Sequence, residues 1–347
     1  MSAGPASRPG RLGVGVIGAG RVGAVLGSAL RGAGHPVVGV SAVSAESRER
    51  ASTLLPGVPV LDVPEVVRRA ELVLLAVPDD ALAPLVRGLA ETGAWQTGQI
   101  VVHTSGRFGT AVLAPARAAG VIPLALHPAM TFTGTSLDLA RVVGCAFAVT
   151  APAPVLPIGQ ALVVEIGGEP VVLDEDQRPL YHAGLAHGAN HLVVLVAQAA
   201  QALRAAGVDE PGRVLRPLLE AALDGALRAE DGAGAGGAGA IAALTGPVRR
   251  GDAGTVAEHV AVLTAFGATS GAVDVPTGYG ALSRAAAARA LGAGLVRPGD
   301  AQHVLDALAG INSRPPVLEQ EDHGTPPEPP AAAGPVDDGG TPPQEDA

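Results

Sequence analysis

Val14-Gly15-Val16-Ile17-Gly18-Ala19-Gly20-Arg21-Val22-Gly23 decides how this chain is read. A short run rich in β-branched residues stops at Gly18 and opens into Gly-x-Gly-x-x-Gly. Residues 21–32 then continue at helical spacing. The pattern is that of a strand, a tight turn and a helix N-terminus. In such a turn the first glycine permits the reversal, the second lets backbone approach a pyrophosphate, and the third lets helix pack on strand. Free N–H groups and the positive dipole end of the helix then hold the phosphates. A glycine triplet alone says little in a chain with 48 glycines. Its apolar flanks make Gly18, Ala19, Gly20, Arg21, Val22 and Gly23 an expected dinucleotide cradle, against the plainer reading of an ordinary βα turn.

Residues 37–40 read as the second strand. About 20 residues past the glycine turn, an NAD-binding chain usually places an acid for the ribose 2′-hydroxyl. Here the positions are Ser41, Ala42, Val43 and Ser44, followed by Arg48 and Arg50. Hydroxyls at Ser41 and Ser44 with nearby guanidiniums suit a 2′-phosphate, so NADP is favoured, with NAD the alternative. Arg48 and Arg50 also fit a merely solvated helix face.

Residues 72–77 form a continuous apolar run broken by Pro78, as expected for a parallel strand buried on both faces. Residues 100–102 and 121–126 read as further strands. Their carboxyl-end loops begin at His103-Thr104-Ser105-Gly106 and at His127-Pro128-Ala129-Met130-Thr131-Phe132. In open α/β sheets ligands bind outside the carboxyl ends of strands. Residues 144–150 and 171–173 extend the sheet. The expected fold is therefore a doubly wound, mostly parallel α/β domain over residues 12–174.

Beyond Asp174 the pattern turns all-α. Alanine- and leucine-rich stretches at helical period occupy residues 178–206, 211–229, 255–266, 280–295 and 302–308. Residues 231–240 form a Gly/Ala-rich link that reads as mobile. The helical domain is expected over residues 175–310, and its apolar faces suggest a homodimer, although alanine-rich helices also pack within one subunit. Residues 1–11 read as a frayed terminus and 311–347 as a disordered acidic, Pro-rich tail.

Composition narrows the partners. The formal net charge is −10, but eight acids and no basic residue fall in residues 315–347, which leaves the remainder nearly neutral. With no basic stripe, and with Trp 1, Tyr 2 and Phe 4, nucleic-acid binding is not expected. No segment reads as a signal peptide or membrane span, and the single Cys145 fits a reducing, cytoplasmic setting. All 23 basic residues are arginine, so no lysine is available as acid, base or Schiff-base former.

Taken together the motifs resemble a family. Gly18-x-Gly20-x-x-Gly23, Leu74-Leu75-Ala76-Val77-Pro78-Asp79, His103-Thr104-Ser105-Gly106 and His127-Pro128 with Thr131-Phe132 come first. Tyr181-His182 with Asn190-His191-Leu192, then Leu244-Thr245-Gly246-Pro247 with Arg250-Gly251-Asp252, follow in order. The chain resembles, over residues 12–310, the Rossmann-like proteins whose C-terminal half is the domain of unknown function 2520. That family is similar to pyrroline-5-carboxylate reductases, β-hydroxyacid dehydrogenases including ketopantoate reductases, and deazaflavin-dependent NADP reductases. The resemblance implies a nicotinamide over the carboxyl edge of the sheet, with Ala76, Val77 and Pro78 lining it. It implies a substrate between that edge and the first long helix of the second domain. Some relatives are encoded beside pantothenate-synthesis genes, which brings in 2-dehydropantoate. In the lysine-dependent relatives a lysine lies one helical turn before an asparagine. With Asn190 as that asparagine, the position holds Ala186.

Without lysine, the proton donor falls to histidine, whose pKa lies near neutrality. His127 and His187 are the candidates, with Asn190 orienting the carbonyl. His103 and Ser105 are placed beside the cofactor. Thr131, Thr245 and Arg250 are placed on the substrate, Arg250 as a bidentate carboxylate ligand. Each has a plainer reading: a loop histidine bonded to backbone, an inter-helix amide, a helix stop with an Arg250–Asp252 pair. His187 and His191 share a helical face but lack a third ligand at helical spacing, so no metal is expected. The expected function is an NADP-dependent oxidoreductase that transfers hydride to a small keto acid, 2-dehydropantoate first. The alternatives are an imine reductase of the pyrroline-5-carboxylate type and a non-catalytic NADP-binding sensor or scaffold.

Overall fold

The computed structural model describes residues 11–234 and 236–311. The readings of residues 1–10 and 312–347 lie outside them. The chain divides into two compact units, one up to Val194 and one from Leu195. The division falls inside a long helix, later than the change of composition near residue 174.

The first unit is built on β1 (Val14–Ile17), β2 (Val37–Ser41), β3 (Leu72–Leu75), β4 (Ile100–His103), β5 (Ile122–Pro128), β6 (Ala146–Thr150) and β7 (Glu169–Val172). They form one sheet in the order β2-β1-β3-β4-β5-β6-β7. The first five strands are parallel, β6 runs against β5, and β7 runs with β6.

The continuous apolar runs have a simple cause, which is that helices cover both faces. Leu72 and Leu74 of β3 point into one core with Val14, Val16, Val102, Leu124 and Leu126. Val73 and Leu75 point into the other, with Ile17 and Val101. On the first face lie α1 (Arg21–Gly32) and α2 (Ala45–Leu54). The second face carries α3 (Val63–Arg69), α4 (Asp79–Glu91) and α5 (Ala114–Ala118). Both α6 (Leu137–Val142) and α7 (Leu156–Glu165) return to the first. Each fully buried Leu or Val contributes about 1.5–3 kcal/mol, so the two cores hold the strands flat against their helices.

Several strand ends differ from expectation, the run at residues 72–77 being strand only to Leu75, and two of the differences bear on the site. β4 runs through His103 and β5 through His127 to Pro128, so both histidines are strand residues rather than the first of a loop. His103 stays in the ladder because it pairs with Leu75 and Ala125, and His127 because β6 supplies Ala148 opposite it.

After β7 comes α8 (Arg178–Ala205). The second unit continues with α9 (Pro211–Asp231), α10 (Gly246–Arg250), α11 (Ala253–Ser270), α12 (Asp274–Gly292) and α13 (Pro298–Ala307). It is helical, as its 3.6-residue periodicity requires, around Val248, Val256, Ala287, Val304 and Leu308. Among the described residues no helix is long and apolar enough to cross a membrane.

The glycine turn sets the spacing between α1 and the sheet. Gly18 sits at φ +94°, and a β-carbon there would lie 2.5 Å from the Ala76 carbonyl oxygen. A β-carbon on Gly23 would overlap the Gly18 carbonyl oxygen. Backbone strain of this kind costs about 1–3 kcal/mol, so Gly18→Ala is expected to lower unfolding stability by at least that much in urea titration. A variant as stable as the parent would show that the turn relaxes freely and that this packing is not required.

Candidate active site

The helix that follows the glycine turn begins without a side-chain cap. Gly20 occupies the N-cap position of α1 and makes no capping bond. The N–H groups of Gly18 and Ala19 both donate to the Ser41 carbonyl, at 3.2 and 3.1 Å. Those two groups are spent on joining the turn to β2, which leaves the first-turn N–H groups of Arg21, Val22 and Gly23 to face outward. A β-carbon on Gly20 would meet nothing within 4 Å. An open space before uncapped N–H groups is what a pyrophosphate requires, so the residues fit a dinucleotide. Of the other expected cofactor contacts, Ser41 is buried at the end of β2 and Ser44 caps α2 by accepting from Ser47 N at 3.1 Å. Ala76, Val77 and Pro78 follow β3, with the Ala76 carbonyl against the glycine turn.

At the carboxyl ends of β4, β5 and β6 lies a residue that pattern reading did not single out. Arg178, the first residue of α8, is fully buried. Its Nε donates to the Thr150 hydroxyl at 2.9 Å, and its Nη1 to the Ser105 carbonyl at 3.1 Å. Its Nη2 donates to the carbonyls of Ala125 and Ala148, at 2.8 and 3.0 Å. One planar guanidinium thus ties the loop after β4 and the end of β6 to the middle of β5, and no carboxylate pairs with it among the described residues.

Burial and this cation together govern the two histidines. His103 is fully buried; its pKa is pushed down to about 4, chiefly by desolvation, against the bond to Gly109 and with Arg178 adding to the fall. The Ser105 N–H donates to its Nδ1 at 3.2 Å, and its Nε2 lies 2.8 Å from the Gly109 carbonyl. An acceptor Nδ1 and a donor Nε2 define one neutral tautomer. With both nitrogens engaged, His103 offers no polar atom to a ligand, and it shapes the Ser105 loop instead. His127 is likewise pushed down to about 4, first by desolvation and then by the charges of Arg178 and His182.

The Tyr181 hydroxyl lies 2.9 Å from His127 Nδ1. Burial raises the tyrosine's pKa, with Arg178 opposing the rise. When the phenol donates to Nδ1, the ring proton sits on Nε2. His182 packs edge-on against His127, with ring centroids 5.9 Å apart. Tyr181 and His182 were quoted in the motif but given no role. Their signal was there, since each follows Arg178 by a step that keeps one helical turn over the sheet edge.

A cavity of about 330 Å³ opens beside His127. Its wall brings together three expected residues, His127, Thr131 and Asn190, and adds Met130, His182 and Ala186. Asn190 is exposed on this wall rather than enclosed among apolar side chains. Ala186, where lysine-dependent relatives carry the ammonium, contributes only a methyl group to the wall. His187 is not brought to the cavity. Its Nδ1 lies 2.8 Å from that of His191, further along α8. Thr245 and Arg250 belong to the second unit, where they line a separate polar cavity of about 620 Å³ with Arg249, Arg297 and Asp300.

This sheet order, with the glycine turn at β1 and the crevice at the carboxyl edge, defines a Rossmann-type α/β protein with a helical second unit. Residues 2–128 match the Rossmann-like domain family, and residues 145–286 match a domain of unknown function, DUF2520. The chain therefore belongs to the proteins that join a Rossmann-like domain to a DUF2520 domain. It is similar to a Bacteroides fragilis structure assigned as an NADP oxidoreductase, with 23% identity, TM-score 0.62 and 80% of this chain and 98% of that one covered. A Thermotoga maritima protein gives 20% identity and TM-score 0.57 over 80% and 98% of the two chains. An imine reductase from Myxococcus stipitatus in complex with NADP+ gives 18% and 0.51 over 85% and 92%. Likeness at these identities establishes the fold. A search of curated proteins gives no match.

The depressed histidines have a measurable consequence. His103 and His127 titrate near 4 in the folded protein and near 6.5 once unfolded. Between those values the unfolded chain binds more protons, so stability rises with pH across that window and these groups add nothing further above it. Melting temperature is expected to fall steadily as pH drops from 6.5 towards 4, and His127→Gln to make that slope shallower. A melting temperature flat from pH 6.5 to 5 would show that the histidines are not held neutral.

Proposed function

We propose that the protein is an NADP-dependent reductase of a small imino or keto acid. The observation that carries this reading is the cavity beside a neutral, tyrosine-backed His127, at the same sheet edge as the uncapped glycine turn. Gly20 and the first-turn N–H groups of Arg21, Val22 and Gly23 would hold the pyrophosphate, and Ala76, Val77 and Pro78 would line the cofactor. The nicotinamide, when bound, supplies a hydride to the carbon of a C=N or C=O bond.

The chain's own residues handle the proton. A neutral imidazole that carries its proton on Nε2 would polarise a C=O or C=N as an uncharged donor, and the low pKa of His127 keeps that form available throughout the neutral range. If the substrate is a ketone, the nascent alkoxide takes the Nε2 proton while Tyr181 passes its hydroxyl proton to Nδ1. The ring ends in the opposite neutral tautomer and the negative charge rests on the phenolate, near Arg178. If the substrate is an iminium, the nitrogen already carries its proton, and hydride addition alone yields the neutral amine. The raised pKa of Tyr181 makes it a weak acid, which favours the imine. Reduction of a keto acid such as 2-dehydropantoate is the second reading, supported by the presence of a complete Tyr181–His127 proton path. Asn190 and Thr131, which line the same cavity as His127, would orient the substrate. His187 is left without a catalytic part.

A homodimer is part of this reading. Val193, Val194 and Leu195 of α8 and Leu218, Leu223 and Leu227 of α9 are exposed, more apolar helix surface than an isolated protomer normally shows. A cytoplasmic setting is proposed from the single, partly buried Cys145.

NADPH oxidation with a panel of cyclic imines and 2-keto acids, 2-dehydropantoate among them, tests the proposal. Tyr181→Phe keeps the ring and removes the proton, and general acid catalysis is worth about 10²–10⁴-fold. The variant is expected to lose about 10²-fold in kcat on keto acids with KM little changed, and only a few-fold on imines. NADPH that binds tightly yet is consumed with no substrate would replace the reductase by the sensor or scaffold.

A further inference from the structure

Two cavities of opposite character meet in the second unit. One, of about 410 Å³, lies among α8, α10, α11 and α12, with Leu263, Val275, Leu282 and Ala286 on its walls. Of its polar side chains, His259 and Tyr279 face each other, the phenol 3.0 Å from the imidazole Nδ1, and Gln198 donates to Asp274. The lining is chiefly apolar. The other cavity, of about 620 Å³, is lined by Arg249, Arg250, Arg297 and Asp300. Three guanidiniums thus gather around a single carboxylate. Like charges brought together repel, and a bound anion relieves that repulsion.

The arginines have donors to spare. Arg249 reaches the Leu295 carbonyl with one nitrogen, and Arg297 binds Asp300 through Nε at 2.7 Å. Arg250 has no carboxylate within ion-pair distance among the described residues. Its neighbour Asp252 is engaged elsewhere: it caps α11, accepting the Thr255 N–H at 3.1 Å and the Thr255 hydroxyl at 2.7 Å. An Arg250–Asp252 pair, the plainer reading of the sequence, is therefore not formed. Gly251 between them is left-handed, at φ +69°, and a β-carbon on it would lie 2.5 Å from Cβ of Asp300. So close an approach locks α10 to the first turn of α13 and holds the three arginines around one cavity. Leu244 and Thr245 line both cavities. Thr245 stands at the N-cap of α10, yet its side chain makes no capping bond. A hydroxyl thus marks the place where the apolar wall gives way to the arginines.

We infer that the second unit binds a small amphipathic anion, its apolar chain among α8, α11 and α12 and its carboxylate or phosphate head at Arg249, Arg250 and Arg297. Guanidiniums suit such heads because their paired N–H groups match two oxygens at once. Neither cavity specifies this ligand alone. Apolar walls accept any oily molecule, and gathered arginines accept any anion. Their common rim at Leu244 and Thr245 selects a molecule with both ends. Every residue of the site belongs to the second unit, so the inference does not depend on the first unit being a reductase.

The test is calorimetric titration of the full chain with hexanoate, octanoate, decanoate and octyl phosphate, and with octanol as the uncharged control. Each methylene buried lowers Kd about fourfold, so affinity is expected to climb steeply from hexanoate to decanoate. Without a charge-assisted contact, octanol is expected to bind about tenfold more weakly than octanoate. Arg250→Met is expected to raise the octanoate Kd about tenfold and to leave octanol within about twofold. Leu282→Ser is expected to weaken both. Arg250 and Leu282 are exposed, so neither variant puts folding at risk. Tighter binding of octyl phosphate than of octanoate supports the site and identifies its head as phosphate; the reverse order supports it and identifies a carboxylate. A Kd independent of chain length would leave only a patch of arginines, and octanol as tight as octanoate only an oily surface. Either overturns the inference, as does failure of all four anions to bind. Binding that weakens as protein concentration rises would mean that a second copy of the chain covers the apolar cavity, and overturns it too.

Discussion

A guanidinium that forms no ion pair with a carboxylate among the described residues sits at the junction of β4, β5 and β6, and the rest of the carboxyl edge is arranged around it. Removing a charge from water is costly unless its donors are met. Arg178 meets that cost with four oxygen dipoles rather than an opposite charge. Because three of those oxygens are backbone carbonyls, the cation fixes main chain as well as side chains. It sets the Ser105 loop, the level at which β6 ends beside β5, and the point where α8 starts. Its charge adds to the desolvation that keeps two nearby imidazoles uncharged.

The reversal of β6 makes this arrangement possible. Thr150 at the end of β6 pairs with Ala125 in the middle of β5. The two last strands therefore occupy only the outer half of the sheet and deliver the chain near the end of β4. A fully parallel continuation would have carried α8 away from that edge. Tyr181 and His182 reach His127 because the helix begins where it does.

The parts of the fold that follow from local pattern were readable in advance. The glycine turn, the apolar run read at residues 72–77, of which Leu72–Leu75 is strand, and the helical period read at residues 178–206, of which Arg178–Ala205 is helix, each depend on near neighbours in sequence. What escaped was non-local. Arg178 looks like any arginine opening a helix, since its partners lie 28 to 73 residues away. Strand ends at His103 and His127 were placed short because ladder pairing with Leu75, Ala125 and Ala148 decides them, not propensity. Asn190 has apolar sequence neighbours, yet in this helix many apolar side chains are themselves exposed, and so is the amide. His187 and Asn190, three residues apart, are neighbours on the helix surface, and only contact geometry reveals which of them meets the cavity.

The anchor and the wall of the cavity are made of different residues, and that separation bears on how such a protein changes over evolutionary time. A fork of five N–H groups has no near equivalent among the side chains, so position 178 offers no gradual path and any replacement is abrupt. Thr131 and Ala186 line the opening and belong to no core, while Met130 lines it and also packs against the core of the sheet. Lineages descended from this chain are free to diversify what enters the cavity by exchanging those wall positions, while the scaffold beneath them stays under a constraint that forbids drift.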